Sequence, residues 1–495
     1  MARFVSKVVA VSLIGGIAST APADVPTVTA DRTLSASDAA SYDVFGYGMA
    51  IEGETLLIGS RGCDTPQPNS GAIYAFRRIN STWTQAQKLV FPVATRDDQI
   101  GTAVALSGSV AVAGAPGRGA GGAAFILRFD GGTWFSQTEV SDSSAGTASE
   151  FGAAAACSST RVAVGAPNAS EGVGAGAGRV RIFDRPGQVW VSGQVLRAPY
   201  PDPGDRFGSA ISMSGGLLAV AAPGDDDRAI NSGAVYLYRL EGGQFILASK
   251  VFPPVSVAED WFGRSVALVG SRLVIGAYQS DLAGVDAGAA FVYDVAATGV
   301  ATYARTLLPP AGAINAEFGN SVATDGTAIM VGAPGFASGG VLRGASWIYF
   351  DGDAVADARL EPTGAATMDL CGLRVAISAQ AAVAAAPGMQ VSLAPSAGSA
   401  LLVDRTRDCN GSGVPDAIEI ATGLLLDGNG DGVPDQCQCI ADLSGDGSVG
   451  GADLGLLLSL WGLASPSFPQ FDLNRDGFVN GADLGLLLSA WGPCS

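Results

Sequence analysis

Phe207-Gly208-Ser209-Ala210-Ile211-Ser212-Met213-Ser214-Gly215-Gly216-Leu217-Leu218-Ala219-Val220-Ala221-Ala222-Pro223 holds two marks, an aromatic-Gly step and, 14 residues later, a small-small-Pro tripeptide. Two short apolar runs flank the Gly-Gly pair between them, the pattern of two strands joined by a tight turn. The first mark recurs at Phe45-Gly46, Phe151-Gly152, Phe262-Gly263 and Phe318-Gly319, with Ile100-Gly101 and Cys371-Gly372 filling the gaps at intervals of 55, 51, 56, 55, 56 and 53 residues. The second recurs at Gly114-Ala115-Pro116, Gly165-Ala166-Pro167, Gly332-Ala333-Pro334 and Ala385-Ala386-Pro387, with Gly59-Ser60-Arg61 and Gly276-Ala277-Tyr278 as the two departures. Seven copies at constant internal spacing define a repeat architecture.

Each copy reads as four short strands. Ser265-Val266-Ala267-Leu268 exemplifies the first, Leu273-Val274-Ile275 the second, and Gly233-Ala234-Val235-Tyr236-Leu237-Tyr238 the third, while Trp190 and Leu196 mark a fourth. Short β-rich runs bounded by Gly and Pro, without helical period, predict four-stranded antiparallel blades. The small residues ending the second strand suit close backbone approach near a ring axis. An aliphatic residue stands 11 positions before every first mark: Leu34, Leu89, Val140, Leu196, Val251, Leu307 and Leu360. The seventh copy ends at Ala400-Leu401-Leu402-Val403 without a fourth strand, whereas Arg32 to Ser37 is a fourth strand without a preceding blade. The expected fold is therefore an all-β seven-bladed β-propeller over 31–405, closed by its N-terminal segment so that no sheet edge is left open.

These marks resemble the FG-GAP repeat family, the unit of the integrin α-chain propeller and of many exported bacterial propellers. The resemblance implies a seven-bladed ring and leaves function open, because propellers host binding and catalysis alike. Calcium-binding integrin repeats carry an Asp-rich loop between the two marks. Here that interval holds turns such as Leu106-Ser107-Gly108-Ser109 and Thr324-Asp325-Gly326-Thr327, so no calcium is assigned to the blades. Asp225-Asp226-Asp227 reads as a solvated turn, with a lone cation or ligand contact as the alternative. Tyr278 and Phe336 in equivalent loops are read as exposed aromatics, available either for a recognition surface or for rim packing.

The 495 residues carry a net charge of −18 and no histidine. Clustered cations are absent from the sequence, which argues against nucleic acid as partner. The missing imidazole removes the usual general base and the middle member of a Ser-His-Asp triad, and no Gly-x-Ser-x-Gly elbow occurs. Arg3 and Lys7, an apolar stretch from Val8 to Ile17, and Ala21-Pro22-Ala23 predict a signal peptide over 1–23, cleaved before Asp24. No other stretch is apolar enough to span a bilayer, so the expected mature protein is secreted or held in the cell envelope without a membrane span. Seven cysteines in an exported chain permit disulfides and leave at least one thiol unpaired. Cys157 and Cys371 occupy strand and Phe-like positions and are expected to be buried free thiols.

Residues 404–495 hold 13 Asp plus Glu against 3 Lys plus Arg, a net of −10 that leaves −8 for the rest. Their spacing points to Ca2+, a hard cation that takes six to eight oxygens from alternate short side chains around a Gly-pivoted turn. Asp442, Ser444, Asp446, the Ser448 carbonyl and Asp453 make one candidate loop; Asp472, Asn474, Asp476, the Phe478 carbonyl and Asp483 make another, 30 residues on. Leu454 to Trp461 and Leu484 to Trp491 follow them as near-identical helices. Upstream, in a linker over 406–438, two weaker loops use Asp408, Asn410, Ser412, Asp416 and Glu419, then Asp427, Asn429, Asp431 and Asp435, with Gln438 at the twelfth position of the latter. A metal-free Asn-Gly/Asp-Gly turn linker is the alternative there.

The duplicated loop-plus-helix of 439–495 resembles a type I dockerin, the module that docks onto cohesin domains. Gly451-Ala452 and Gly481-Ala482 stand where cellulosomal dockerins often carry Ser/Thr recognition pairs. The resemblance implies a cohesin-like protein partner. Its pseudo-twofold packing would bring the module's ends together and pair Cys439 with Cys494, leaving Cys409 with Cys437; exchange of Cys437 and Cys439 stays open. The upstream loops resemble calcium repeats of exported linkers. Together these features suggest a calcium-binding adhesion or interaction protein, with a protein or glycan ligand on the propeller and no catalytic residues. A polysaccharide-active hydrolase or carbohydrate-binding component of a dockerin–cohesin assembly is the rival, and a purely structural surface-layer component is a second.

Overall fold

The computed structural model describes residues 25–350, 355–363, 368–409, 412, 414–427, 434, 441–444, 448–462, 471–474 and 476–493. The expected signal peptide lies outside them. Seven sheets form the ring. The first blade is Phe45–Glu52, Thr55–Ser60, Ala72–Ile79 and Thr82–Leu89, paired in that order, and the fourth is Ile211–Ser214, Leu217–Ala222, Ala234–Glu241 and Gln244–Val251. The innermost strands touch one another all the way round, with Val375–Ile377 of blade seven meeting Phe45–Glu52 of blade one.

Two repeated contacts weld the blades. The backbone N–H of each first-mark residue donates to the carbonyl just before the third strand of the preceding blade, as in Phe207 to Ala177 (3.1 Å), Phe318 to Ala287 (3.0 Å) and, across the ring closure, Phe45 to Ala397 (3.0 Å). Bringing the chain to that bond puts the residue before every mark in the left-handed region: Val44, Gln99, Glu150, Arg206, Trp261, Glu317 and Leu370 all have φ between 55° and 58°. Such backbone costs free energy for residues with a Cβ, and it persists here because the interblade bond and the buried ring beside it over-determine the turn. The second contact explains the small residues. A Cβ on Gly114 would stand 1.9 Å from the Gly152 carbonyl oxygen of the next blade, and one on Gly332 would stand 2.0 Å from that of Gly372.

The rings of Phe207, Phe262 and Phe318 are fully buried, as the spacing predicts. Phe207 sits between Leu196 of blade three and Ile211, Leu218, Val220 and Tyr236 of blade four. Cys157 and Cys371 are buried and free, as is Cys63.

Closure follows the expected route and adds to it. Arg32–Leu34 pairs antiparallel with Ser399–Asp404 as the fourth strand of blade seven. Thr27–Val28 then pairs parallel with Ala358–Leu360, giving blade six a fifth strand that the sequence did not announce. The outer strand of blade six is only three residues long, and this addition covers its edge. Helix α1 (Asp416–Thr422) packs on the same region, placing Ile418 in one cluster with Val28, Leu360 and Val403. Gly423, at φ 73°, ends it.

The C-terminal module contains helices α2 (Gly451–Ser459) and α3 (Gly481–Ser489), identical in all nine residues, and a two-stranded pairing of Ser448–Val449 with Gly492–Pro493. Its fully buried apolar side chains, among the described residues, are Ala441, Val449, Leu457, Val479 and Leu487.

Candidate metal centre

The two strong loops of the C-terminal module are built alike. Asp453 accepts from the Ser444 N–H (2.8 Å) and the Gly450 N–H (2.7 Å); Asp483 accepts from the Asn474 N–H (3.0 Å) and the Asn480 N–H (2.7 Å). Each aspartate is fully buried, ties the loop's third residue to its twelfth, and caps the N-terminus of its helix, where negative charge is favoured. Burial alone would raise the Asp453 pKa, but the Gly450 and Ser444 N–H donors outweigh it and hold the carboxyl below its ordinary value.

In the second loop Asp472, itself buried, accepts from the N–H groups of Asp476 (3.1 Å) and Gly477 (2.9 Å). Asp476 accepts from the Asn474 and Asn480 amides and the Phe478 N–H, which lower its pKa. Each carboxylate offers about four lone-pair sites. The two bonds to Asp472 and the two to Asp483 therefore leave acceptor sites able to hold a cation, whereas Asp476 takes two bonds on each oxygen and would have to exchange some of them for one. In the first loop Asp442, Ser444, Ser448 and Asp453 are described, and Ser444 Oγ lies 3.3 Å from Asp442. Asp446 lies outside the described residues.

Upstream, the carboxylates of Asp408, Asp416 and Glu419 converge within 4.8 Å of one another. They are the first, ninth and twelfth positions of the loop read from the sequence. The Cys409 N–H donates to Asp416 (2.9 Å) and the Ser412 N–H to Asp408 (3.0 Å). Burial, together with Asp408 and Glu419, raises the Asp416 pKa, as three crowded acids should. Asp416 and Glu419 ride on α1, which ties this cluster to the propeller. Of the other weak loop only Asp427 is described; Asn410, Asn429, Asp431, Asp435 and Gln438 lie outside the described residues, as do Cys437, Cys439 and Cys494. Cys409 is disulfide-bonded.

On the propeller, two readings of the sequence need correction. Phe336 is not exposed: it is buried edge-on against Trp347, with ring centroids 5.0 Å apart. Asp225 is not a solvated turn residue either. It is buried, accepts from the Tyr236 hydroxyl (3.0 Å) and pairs with Lys250 (2.6 Å), while Lys250 also reaches Asp227. Tyr278 is half-buried.

A third feature was missed. Asp43, Asp98, Asp205, Asp260 and Asp369 stand two residues before the first mark of their blades, and all are buried. Asp43, Asp98 and Asp205 each accept from the N–H three residues earlier, fixing the loop that enters the blade. Burial and the neighbouring Asp225 push Asp205 up to about 6. The period was in the sequence, but isolated acids between blades read as surface charge until their burial is known.

Sequence comparison agrees with this architecture. The FG-GAP repeat family model matches residues 28–76, 83–127, 190–238 and 247–293. Each match begins near the outer strand of one blade and ends in the third strand of the next, so the sequence repeat is offset by one strand from the structural blade. The protein is thus a seven-bladed β-propeller carrying FG-GAP repeats. No curated protein matches the chain. The solved structure of a Bacteroides uniformis protein, described provisionally as a 6-phosphogluconolactonase, superposes with a TM-score of 0.40 at 11% identity, covering 62% of this chain and 80% of that one; likeness at this level carries no argument. No helix among the described residues is long and apolar enough to cross a membrane.

Proposed function

We propose that this is an exported, calcium-stabilised interaction protein whose propeller is the recognition head and whose C-terminal module docks onto a protein partner of cohesin type. The observation that carries the reading is the identical bonding of Asp453 and Asp483 in two loop-helix units of one sequence pattern. Among the described residues the module buries only five apolar side chains fully, and small domains with little core are commonly held by metal or disulfides, which supports a bound cation here. The convergence of Asp408, Asp416 and Glu419 supports a third calcium at the junction with the propeller. A disulfide at Cys409 supports an oxidising compartment, and the signal-peptide pattern supports export.

The two loop-helix units also present matching apolar side chains to solvent, Leu458 in α2 and Trp461 just beyond it, Leu488 in α3 and Trp491 just beyond it. Exposed aromatics in a paired arrangement favour a protein partner over a purely structural role. The reading assigns no catalytic residue. Calcium binding to the full-length protein, measured by calorimetry after chelator treatment, tests it. Saturable binding should lose one site in Asp453→Ala and one in Asp483→Ala, with earlier thermal unfolding of the module in chelator. Absence of saturable calcium binding would overturn the reading.

A further inference from the structure

The two departures from the small-small-Pro mark meet at one end of the ring. Where five blades have proline, blade one has Arg61 and blade five has Tyr278. The Arg61 guanidinium lies 3.6 Å from the centroid of the Tyr47 ring, and the Arg374 guanidinium lies 5.3 Å from the same ring. Arg264 covers Tyr278 at 5.3 Å. Arg264 and Arg374 line an axial cavity of about 200 Å3, together with Thr102, Ser209, Ser265 and Ser321. Arginines from blades one, five and seven therefore crowd one mouth of the axis, on the face formed by the loops that enter the inner strands.

What sets these arginines apart is their meeting without a carboxylate among them; Arg77 and Arg185 also stack on rings without an ion pair, but on separate rings, Phe129 and Trp190. Arg78, Arg118, Arg161 and Arg179 each pair with a carboxylate. Among the described residues, Arg61, Arg264 and Arg374 form no ion pair. Arg264 donates to the Asn320 side chain (3.1 Å), which itself donates to Glu317, and Arg374 donates to the Leu373 carbonyl (2.9 Å). In a chain of net charge −18, three guanidiniums without carboxylate partners are stacked on aromatic faces that hold their planes in place. Burial, with the nearby charges of Arg264 and Arg61, lowers the Arg374 pKa, the direction expected of cations awaiting a counter-charge.

We infer that this mouth binds a compact oxyanion, a sulfate or a carboxylate, through Arg61, Arg264 and Arg374. Guanidinium forks match such groups in bidentate geometry, and the serine and threonine hydroxyls of the wall supply further donors. A cavity of about 200 Å3 admits the anionic group and excludes a whole oligosaccharide, which would remain outside the mouth. The inference does not depend on calcium in the C-terminal module.

Calorimetric titration of the full-length protein with sodium sulfate, at ionic strength held constant with chloride, tests it. The expected result is saturable binding of one sulfate per chain, weakened tenfold or more in Arg374→Met and in Arg61→Pro, and unchanged in Arg96→Met, an exposed arginine elsewhere. Arg61→Pro restores the residue that five other blades carry, so loss of binding there is not loss of fold. In a second arm, glucuronate is titrated in competition. Displacement of sulfate identifies the carboxylate of an acidic sugar as a source of the anion, and no displacement restricts the site to sulfate. Lack of saturable sulfate binding, or equal weakening by Arg96→Met, would overturn the inference.

Discussion

Replacing Phe207 by alanine tests the packing logic of the whole ring. The Phe207 ring has no exposed surface and meets Tyr236 and Tyr238 edge-on, at centroid distances of 5.3 and 6.4 Å. Transfer of a fully buried ring contributes up to about 3 kcal/mol, and each edge contact adds at least roughly 0.5 kcal/mol. The expected loss is about 4 kcal/mol, within the range of roughly 3–5 kcal/mol for buried Phe→Ala changes. Phe207→Ile provides the contrast, because Ile100 fills the same position of blade two and is equally buried. That variant keeps most of the volume and should cost less than about 1.5 kcal/mol. Urea unfolding followed by tryptophan fluorescence measures both, and an unchanged m-value with a lowered midpoint assigns the loss to native contacts. A Phe207→Ala loss below about 1 kcal/mol, or an isoleucine variant as unstable as the alanine one, would refute the reasoning.

Two further outcomes are expected. Asp205 has a native pKa of about 6, against roughly 4 for an unfolded aspartate; the native state keeps its proton between those values, so this group's contribution to stability falls as pH rises from 4 to 6. Asp205→Asn keeps an oxygen to accept from the Asp202 N–H and should therefore gain on the wild type with rising pH, by up to about 3 kcal/mol above pH 6, the equivalent of two pKa units; a difference that stays flat from pH 4 to 7 would contradict the assignment. Burial pushes the Cys157 and Cys371 thiols well above their ordinary range, so neither should react with iodoacetamide in the native protein, and both should be labelled after unfolding in urea. Mass spectrometric mapping reads this directly, and rapid native labelling at either site would show that the blade interface opens.

Blade count, strand order and ring closure were all legible in the chain itself. Each depends on contacts that repeat at a fixed spacing, so Phe207, Gly208 and Pro223 announce one blade and their counterparts announce the rest. Leu34 could be matched to the missing outer strand because Leu360 and Leu307 hold the same place in theirs. The candidate cation loops could be proposed from the chain for a related reason, since the oxygens of one loop come from a dozen consecutive residues.

Tertiary structure decided what depends on residues far apart. The parallel pairing of Thr27–Val28 with Ala358–Leu360 follows no local pattern, because two residues carry no period and the open edge they cover exists only once blade six is folded. The burial of Asp225 and Phe336 was set by Lys250, Tyr236 and Trp347, which neighbouring strands bring over them. The meeting of Arg61, Arg264 and Arg374 is the extreme case: in the chain they look like two irregular repeats and a stray charge, and only closing seven blades around one axis puts three like charges at the same mouth.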